Sequence, residues 1–438
     1  MHPIMSAIVF PPFYNSDGSL WLDEINLVDL TRKRGTPLLV ISEKQIRQNI
    51  RRITEPFRNR FQKFSIRYAV KANPNPAVLA IVRQEGCGVD ASSTIEIQLA
   101  KRVNFPPNLI SFTPNNADFD ELSFGVNSGV SINFDDLSQF RLLKGNLPET
   151  VSFRVNPGIG GGEYPGITTA GKDSKFGIPP NIAEIGYLEA KNMGCKKFGI
   201  HMMAGSNILE WDHFDRVTNA FFEIAGKISQ KLDIEFSYLD IGGGFGVPYR
   251  PEQREIDLEK VASCIKANYD RAKKEFAMGS PELVIEPGRF IVANSAVLLG
   301  KVTNIKEYDK TFVGSDIGMN ILLRPALYGA YHHMVIANKL NNALEIQAEI
   351  VGQICENTDR IGKGISLPRV NIGDVIAVFN AGAYVSSMSS NYNGRLRAEE
   401  LLVDGSTVNV IKRREKLQDI LRGSTIPRRL IKKDLEHQ

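Results

Sequence analysis

The stretch FGIHMMAGSNILEWDHFDRVTNAFFEIAGKISQKLDIEFSYLDIGG, residues 198–243, holds the logic of the fold. A short apolar run (198–203) ends in a polar turn. From Trp211 to Lys231 apolar side chains recur at helical spacing. A second apolar run, FSYLDIGG (236–243), then breaks on glycines. Strand, helix, strand with no tight turn between the strands predicts two parallel strands joined by a helical crossover.

The same alternation extends in both directions. Strand candidates IRYAVKA (66–72), LISF (109–112), VSINF (130–134) and VSFRVNP (151–157) precede it, and LVIEPGR (283–289) follows. Helical stretches from Asn75 to Glu85 and from Ser92 to Arg102 lie among them. Such repetition predicts a parallel sheet covered by helices, and eight such units close into a barrel whose working residues sit at the C-terminal strand ends. Lys71, Arg154, His201, Gly242 to Gly244 and Glu286 all fall at predicted strand ends. After about residue 297 the texture changes to Val- and Ile-rich runs broken by turn residues, such as AVLLGKVTNIKEY and LEIQAEIVGQIC. These predict a mostly antiparallel β domain. The expected division is residues 1–44 as a segment contributing to the β domain, 45–297 as the barrel, 298–410 as the β domain and 411–438 as a basic tail.

Composition narrows the class. Of 438 residues, 42% are hydrophobic and 23% charged, which excludes a mainly disordered or fibrous chain. No apolar run approaches the ~18–20 residues that span a bilayer, and no basic segment precedes the short apolar stretch near the N-terminus. No membrane association and no secretory signal are expected. Four cysteines without a CxxC argue against a disulfide framework and a structural zinc site, and no metal is expected. A reducing compartment, the cytoplasm, fits. Cys87, Cys195 and Cys264 read as small buried hydrophobes. Residues 411–438 hold nine Lys/Arg and four Asp/Glu, a surplus of five, against a net charge of +4 for the whole chain. The body is therefore neutral and carries no nucleic-acid footprint. The tail reads as a solvated helix or a docking patch for an acidic partner.

Six places carry chemistry. Lys71 closes an apolar strand, where desolvation lowers a lysine's pKa and frees its amine to form an imine; taken alone it reads more simply as a lysine snorkelling at a strand edge. Asp240-Ile241-Gly242-Gly243-Gly244-Phe245-Gly246 offers bare backbone N–H groups to a small phosphate, or makes a tight turn; it is neither a Walker A loop nor GxGxxG. Glu286, at the end of a buried strand, needs a partner, which is a protonated ring nitrogen or an internal Arg. His201 precedes the Gly205-Ser206 turn and reads as a core histidine or as part of a phosphate site. Cys355-Glu356 and Gly382-Ala383-Tyr384, followed by Met388-Ser389-Ser390-Asn391-Tyr392-Asn393, interrupt the β domain with reactive and polar groups.

The order and spacing of these motifs resemble the fold-type III pyridoxal-phosphate decarboxylases, which include diaminopimelate, ornithine and arginine decarboxylases. The resemblance runs from about Thr36 to Gly405. It is strongest to the diaminopimelate group through Asp316-Ile317-Gly318-Met319-Asn320, Leu323-Arg324-Pro325-Ala326-Leu327-Tyr328 and GAYVSSMSSNYNGR (382–395). It implies an alanine racemase-like (β/α)8 TIM barrel holding pyridoxal 5'-phosphate, and a C-terminal β-sandwich or barrel domain joined by the first strand of the chain. It also implies a homodimer with shared active sites. By motif position Lys71 would bind the cofactor covalently, with Asp90 and Arg154 among its contacts, His201 stacked on its ring and Glu286 at its pyridine nitrogen. Ser206, Gly243, Gly244, Gly288, Arg289 and Tyr384 would surround the phosphate. Cys355 and Glu356 would reach in from the partner, Cys355 as the acid. Arg289, Arg324, Tyr328, Tyr384 and Glu356 would grip a small amino-acid substrate.

The activity implied is decarboxylation of meso-diaminopimelate to L-lysine, since ornithine or lysine would leave buried arginines unpaired. Some motifs depart from the family's usual form: CENTD at 355–359, Ala91 to Glu96, the stretch after His201, and Gly394-Arg395-Leu396-Arg397-Ala398. They open an alternative. In it a relative in a natural-product, siderophore or polyamine pathway acts on a D-amino acid or on an aminoacyl group held by an acidic carrier protein. A non-catalytic regulatory homologue is disfavoured by the presence of Lys71, Glu286 and Cys355.

Overall fold

The computed structural model describes residues 7–164, 166, 169–171, 174–203 and 205–431. The ends of the basic tail (432–438) and of the N-terminal stretch (1–6), and Ala204 in the turn after His201, lie outside the described residues.

Eight parallel strands close into a barrel: Phe64–Ala69, Gly88–Ala91, Ile110–Phe112, Ser131–Phe134, Thr150–Arg154, Lys197–His201, Phe236–Asp240 and Glu282–Ile285. The first pairs with the last through Leu283 opposite Phe64, which closes the ring. Helices cover the outer face of the barrel and interior side chains fill the inner one, so the strands are buried on both faces and read as largely apolar runs. Local chemistry sets the helix starts. Asn75 caps the helix Pro76–Gln84 by accepting from the Ala77 amide, with proline at its first turn. Ser93 caps Thr94–Arg102 in the same way through the Glu96 amide. The longest crossover, Trp211–Leu232, stops at Asp233, which takes the left-handed conformation at φ 48°.

The barrel interior is partly polar and hydrogen-bonded. Arg67 donates to Ser111 at 2.7 Å, and Tyr238 donates to Asn133 at 3.1 Å. Gly199 is obligatory beside that tyrosine, because a Cβ there would lie 2.2 Å from the ring. The predicted strands sit within a few residues of the observed ones, with Gly88–Ala91 added. The strand expected to end in Lys71 stops at Ala69, and Lys71 lies in a single 3-10 turn, Val70–Ala72.

The β domain is a nine-stranded sheet in which Ala296–Glu307 is central. It is mostly antiparallel, with two parallel pairings, Thr311–Ser315 with Ile346–Val351 and Leu38–Ser42 with Glu399–Asp404. The strand that joins the N-terminal segment to this domain is not the first of the chain. Three short strands (Tyr14–Ser16, Ser19–Leu22, Ile25–Asn26) form a separate small sheet, and the fourth, Leu38–Ser42, enters the large one. Its residues 38–41 are all nearly inaccessible, whereas the earlier strands alternate or stay exposed, so burial selects the fourth. The apolar run from Val375 to Val385 is strand only over Val375–Val378 and then becomes a loop. The final strand, Thr407–Lys412, extends into the predicted tail. No described helix is long and apolar enough to cross a membrane.

Two segments lock the domains together. The Tyr384 amide donates to the Ala72 carbonyl at 2.8 Å, and Asn73 donates to the Gly382 carbonyl at 3.2 Å. Both flank Lys71, so the β domain presses directly on its turn.

Candidate active site

The C-terminal strand ends and the β-domain loops enclose a cavity of about 260 Å³. Lys71, Asp90, Arg154, His201, Ser206 and Glu286 line it from the barrel. Arg289 follows on the short turn after the last barrel strand, and Arg324, Tyr328 and Tyr384 come from the other domain.

Lys71 Nζ donates to Asp90 Oδ2 at 3.0 Å. The lysine side chain is 43% exposed and reaches into the cavity, while Asp90 is fully buried. Desolvation alone would lower the lysine pKa, as the sequence led us to expect. The structure reverses that: Asp90 and then Glu286 outweigh burial and hold the amine above its usual range. Asp90 in turn is raised, first by burial and then by the charge of Glu286.

Glu286 finds neither partner expected of it within the chain. Its Oε2 faces His201 Nε2 at 3.1 Å, with both groups buried. Burial would raise its pKa, but His201, by charge and hydrogen bond, and then Lys71 bring it down to about 2. Asp240, at the end of the neighbouring strand, is fully buried and shifted well upward by burial and by Glu286. One carboxyl of this pair is thus held neutral and the other ionised. His201, Asp240 and Glu286 bring their polar atoms within 4.8 Å of one another.

Arg154 sits 3.6 Å from Asp135 and lies 4.6 Å over the Phe176 ring. Arg289 donates to the Tyr249 hydroxyl at 2.8 Å and to Ser206 Oγ at 3.1 Å, and its guanidinium lies 4.8 Å over Tyr384. Tyr384 takes φ +61°, an uncommon conformation for a non-glycine, held by the hydrogen bond that its N–H donates to the Ala72 carbonyl. Gly243 and Gly244 border a narrow crevice next to the cavity. A Cβ at Gly243 would meet the Glu286 carbonyl at 2.4 Å, and Gly244 takes φ +97°, so neither position accepts a side chain without strain. Gly288 caps the turn, its missing Cβ 3.0 Å from those of Ala69 and Ala72.

Two predicted residues stand apart. Cys355 and Glu356 are exposed and do not line the cavity of their own chain. The Cys355 amide donates to Asn393 Oδ1 at 2.8 Å, and the Tyr392 hydroxyl donates to Glu356. Of the other cysteines only Cys87 is buried; Cys195 and Cys264 are partly exposed. The sequence did not single out Tyr249 or His332. His332 stands four residues after the Arg324 to Tyr328 motif, a position that could have drawn attention.

The residues fit a phosphate-bearing pyridine. Buried polar atoms at the site without a hydrogen-bond partner among the described residues include Asp90 Oδ1, His201 Nδ1, Asp240 Oδ2, Glu286 Oε1 and Arg289 Nε. The ionised Glu286 calls for a donor such as a protonated ring nitrogen, and Arg289 for an acceptor such as phosphate.

The pyridoxal-binding domain of the pyridoxal-dependent decarboxylases matches residues 47–293, more than half the chain. The diaminopimelate decarboxylase of Methanothermobacter thermautotrophicus is 41% identical over 421 residues, covering 96% of this chain and 98% of that protein. That of Thermoplasma acidophilum is 39% identical, covering 93% and 98%. The crystal structure of the M. jannaschii enzyme in complex with L-lysine superposes with a TM-score of 0.87 at 32% identity, covering 96% of this chain and 99% of that one. A closed barrel with a lysine and a carboxylate at its strand ends, within a span that matches the family over its whole length, places this chain among the fold-type III pyridoxal-phosphate-dependent decarboxylases.

Proposed function

We propose that this chain removes CO₂ from meso-diaminopimelate to give L-lysine. The observation that carries it is Arg324, a guanidinium only 2% exposed on the cavity wall. Its one hydrogen-bond partner among the described residues is His332, and no described carboxylate lies within 4.0 Å. A buried cation of this kind favours a substrate with a distal carboxylate, which it grips as a planar fork. A substrate without one leaves it unpaired, at several kcal/mol. Relatives that carry the name diaminopimelate decarboxylase support the reading.

Pyridoxal phosphate, when bound, supplies the electron sink for the pair of electrons left by CO₂. The chain's own residues do the rest. Lys71 would anchor the group, and Asp90, hydrogen-bonded to its amine, would orient it. Ser206, Gly243, Gly244, Gly288, Arg289 and Tyr384 would hold the phosphate. Glu286, ionised, would stabilise a protonated ring nitrogen, while His201 braces Glu286 and would contact the group together with Arg154. Tyr328 flanks the distal end of the substrate. Cys355 and Glu356, exposed and absent from the lining of their own cavity, act on the cavity of a partner subunit in a homodimer. There the thiol returns a proton to the substrate's α carbon, and Glu356 takes the distal ammonium.

The carrier-protein alternative is weaker. An aminoacyl group lacking a free carboxylate leaves Arg324 unpaired. Several tail cations are also spent within the chain: Lys412 on Glu400, Arg413 on Asp419 and Arg414 on the Thr36 carbonyl.

The test is CO₂ release by the holoenzyme from meso-diaminopimelate, beside L-lysine, D-lysine, L-ornithine and D-ornithine. Release from meso-diaminopimelate alone is expected. Release from a D-amino acid and none from meso-diaminopimelate overturns the assignment.

A further inference from the structure

Arg324 is held by an unusual partner. His332 is 1% exposed, and its two ring nitrogens face groups of fixed polarity. Nδ1 lies 2.9 Å from the carbonyl oxygen of Phe379, which can only accept. Nε2 lies 2.8 Å from Arg324 Nη1, which can only donate. The two contacts together demand one state of the ring, neutral with its proton on Nδ1. Burial and the adjacent charge of Arg324 favour the same state.

The surroundings complete the support. The Tyr249 ring meets His332 edge-on, with centroids 5.1 Å apart, and carries the Arg324 guanidinium 4.6 Å over its face. Its hydroxyl accepts from Arg289 at 2.8 Å. Two of the buried arginines of the cavity, Arg289 and Arg324, are thus fixed through Tyr249 and His332. A carboxylate at position 332 would hold Arg324 as firmly, but it would cancel the charge. A neutral acceptor holds the guanidinium and leaves its full charge for a ligand.

We propose that His332 is a specificity-determining positioning residue: it orients Arg324 toward the cavity without neutralising it, and so sets the preference for substrates with a distal carboxylate. This deepens the reading of the site as one for meso-diaminopimelate and rests on it.

Three variants separate orientation from charge. His332→Gln keeps an acceptor near the Nε2 position, His332→Leu removes it, and His332→Glu restores the hold but neutralises Arg324. Each holoenzyme is assayed for kcat and KM with meso-diaminopimelate. Calorimetry measures binding of pimelate, the same dicarboxylate without amines, and of L-lysine, which lacks the distal carboxylate. We expect KM and the pimelate Kd to rise about tenfold or more in His332→Leu and His332→Glu, equivalent to about 1.4 kcal/mol. The fall in kcat should be smaller, L-lysine affinity should change little, and His332→Gln should recover most of the loss.

The proposal is overturned if His332→Glu binds pimelate as the wild type does, or if L-lysine and pimelate weaken equally in the folded variants. It is also overturned if the wild type binds no pimelate. Should His332→Leu fail to fold, His332→Glu and His332→Gln still decide the matter. If the wild type leaves meso-diaminopimelate untouched yet binds pimelate, the substrate assignment falls, and the pimelate series alone decides on His332.

Discussion

At the scale of single residues, the site rests on opposed charges in a dry setting. Glu286 is ionised because His201 and Lys71 outweigh its burial. Replacing it with Gln keeps the shape and removes the charge proposed to stabilise a protonated ring nitrogen. Glu286→Gln should lower kcat by roughly 10²–10³, the loss typical of a single preorganised electrostatic group, measured as CO₂ release at saturating substrate and cofactor. The same carboxylate carries a pH signature. Its folded pKa, about 2, lies below the ordinary 4.5, so its contribution to stability is complete above the ordinary value and fades as pH falls toward the folded one. The gap in melting temperature between wild type and Glu286→Gln should therefore be widest near neutrality and shrink as pH drops below about 4.5. A gap that grows on acidification would show that the carboxylate is not ionised in the folded protein. Cys355→Ala should cut kcat by roughly 10²–10⁴, the range for a lost general acid, with cofactor content unchanged by its visible absorbance.

Elements set where these residues stand. Four barrel strands end at a working side chain or just before one: Ala69 before Lys71, Arg154 and His201 at their strand ends, Ile285 before Glu286. The loop from Asn380 to Tyr384 does the same work from the opposite domain, and Gly382 is its tight point. A Cβ there would lie 1.7 Å from the Val292 carbonyl, a backbone atom that cannot turn aside. Gly382→Ala should destabilise by ~1–3 kcal/mol in urea unfolding and weaken cofactor retention, because Tyr384 and the Lys71 turn move with this loop. Unaltered stability would mean that the two domains meet more loosely than these contacts describe.

For the molecule as a whole, the exposed position of Cys355 and Glu356 makes the strongest demand. If they serve a partner's cavity, two defective chains can complement each other. Lys71→Ala and Cys355→Ala, each inactive alone, should recover roughly a quarter of wild-type activity when mixed and allowed to exchange, since half of the randomly formed dimers then hold one intact site. No recovery, with exchange verified by sedimentation of tagged chains, would place the proton donor elsewhere.

Much of this was legible in the sequence. The strand–helix alternation around residues 198–243 depends on local periodicity, and periodicity survives in a single chain because each strand and helix must bury its own apolar face. Lys71, Glu286 and Arg324 announced themselves as charged groups at the ends of apolar runs or inside distinctive motifs. What the sequence could not supply was the balance of forces between residues distant along the chain. Lys71 reads as a lysine with lowered pKa until Asp90 and Glu286 are seen beside it, and both arrive from other strands. Glu286 reads as the partner of a cofactor or an arginine until His201, 85 residues away, is found at its side. The neutral ring of His332 is invisible without the Phe379 carbonyl and Arg324 facing its two nitrogens. Local pattern determined the elements and the chemical groups that they carry. Only the closure of the barrel against the β domain decided which groups meet in low-dielectric surroundings, and there proximity overrides the behaviour of each residue taken alone.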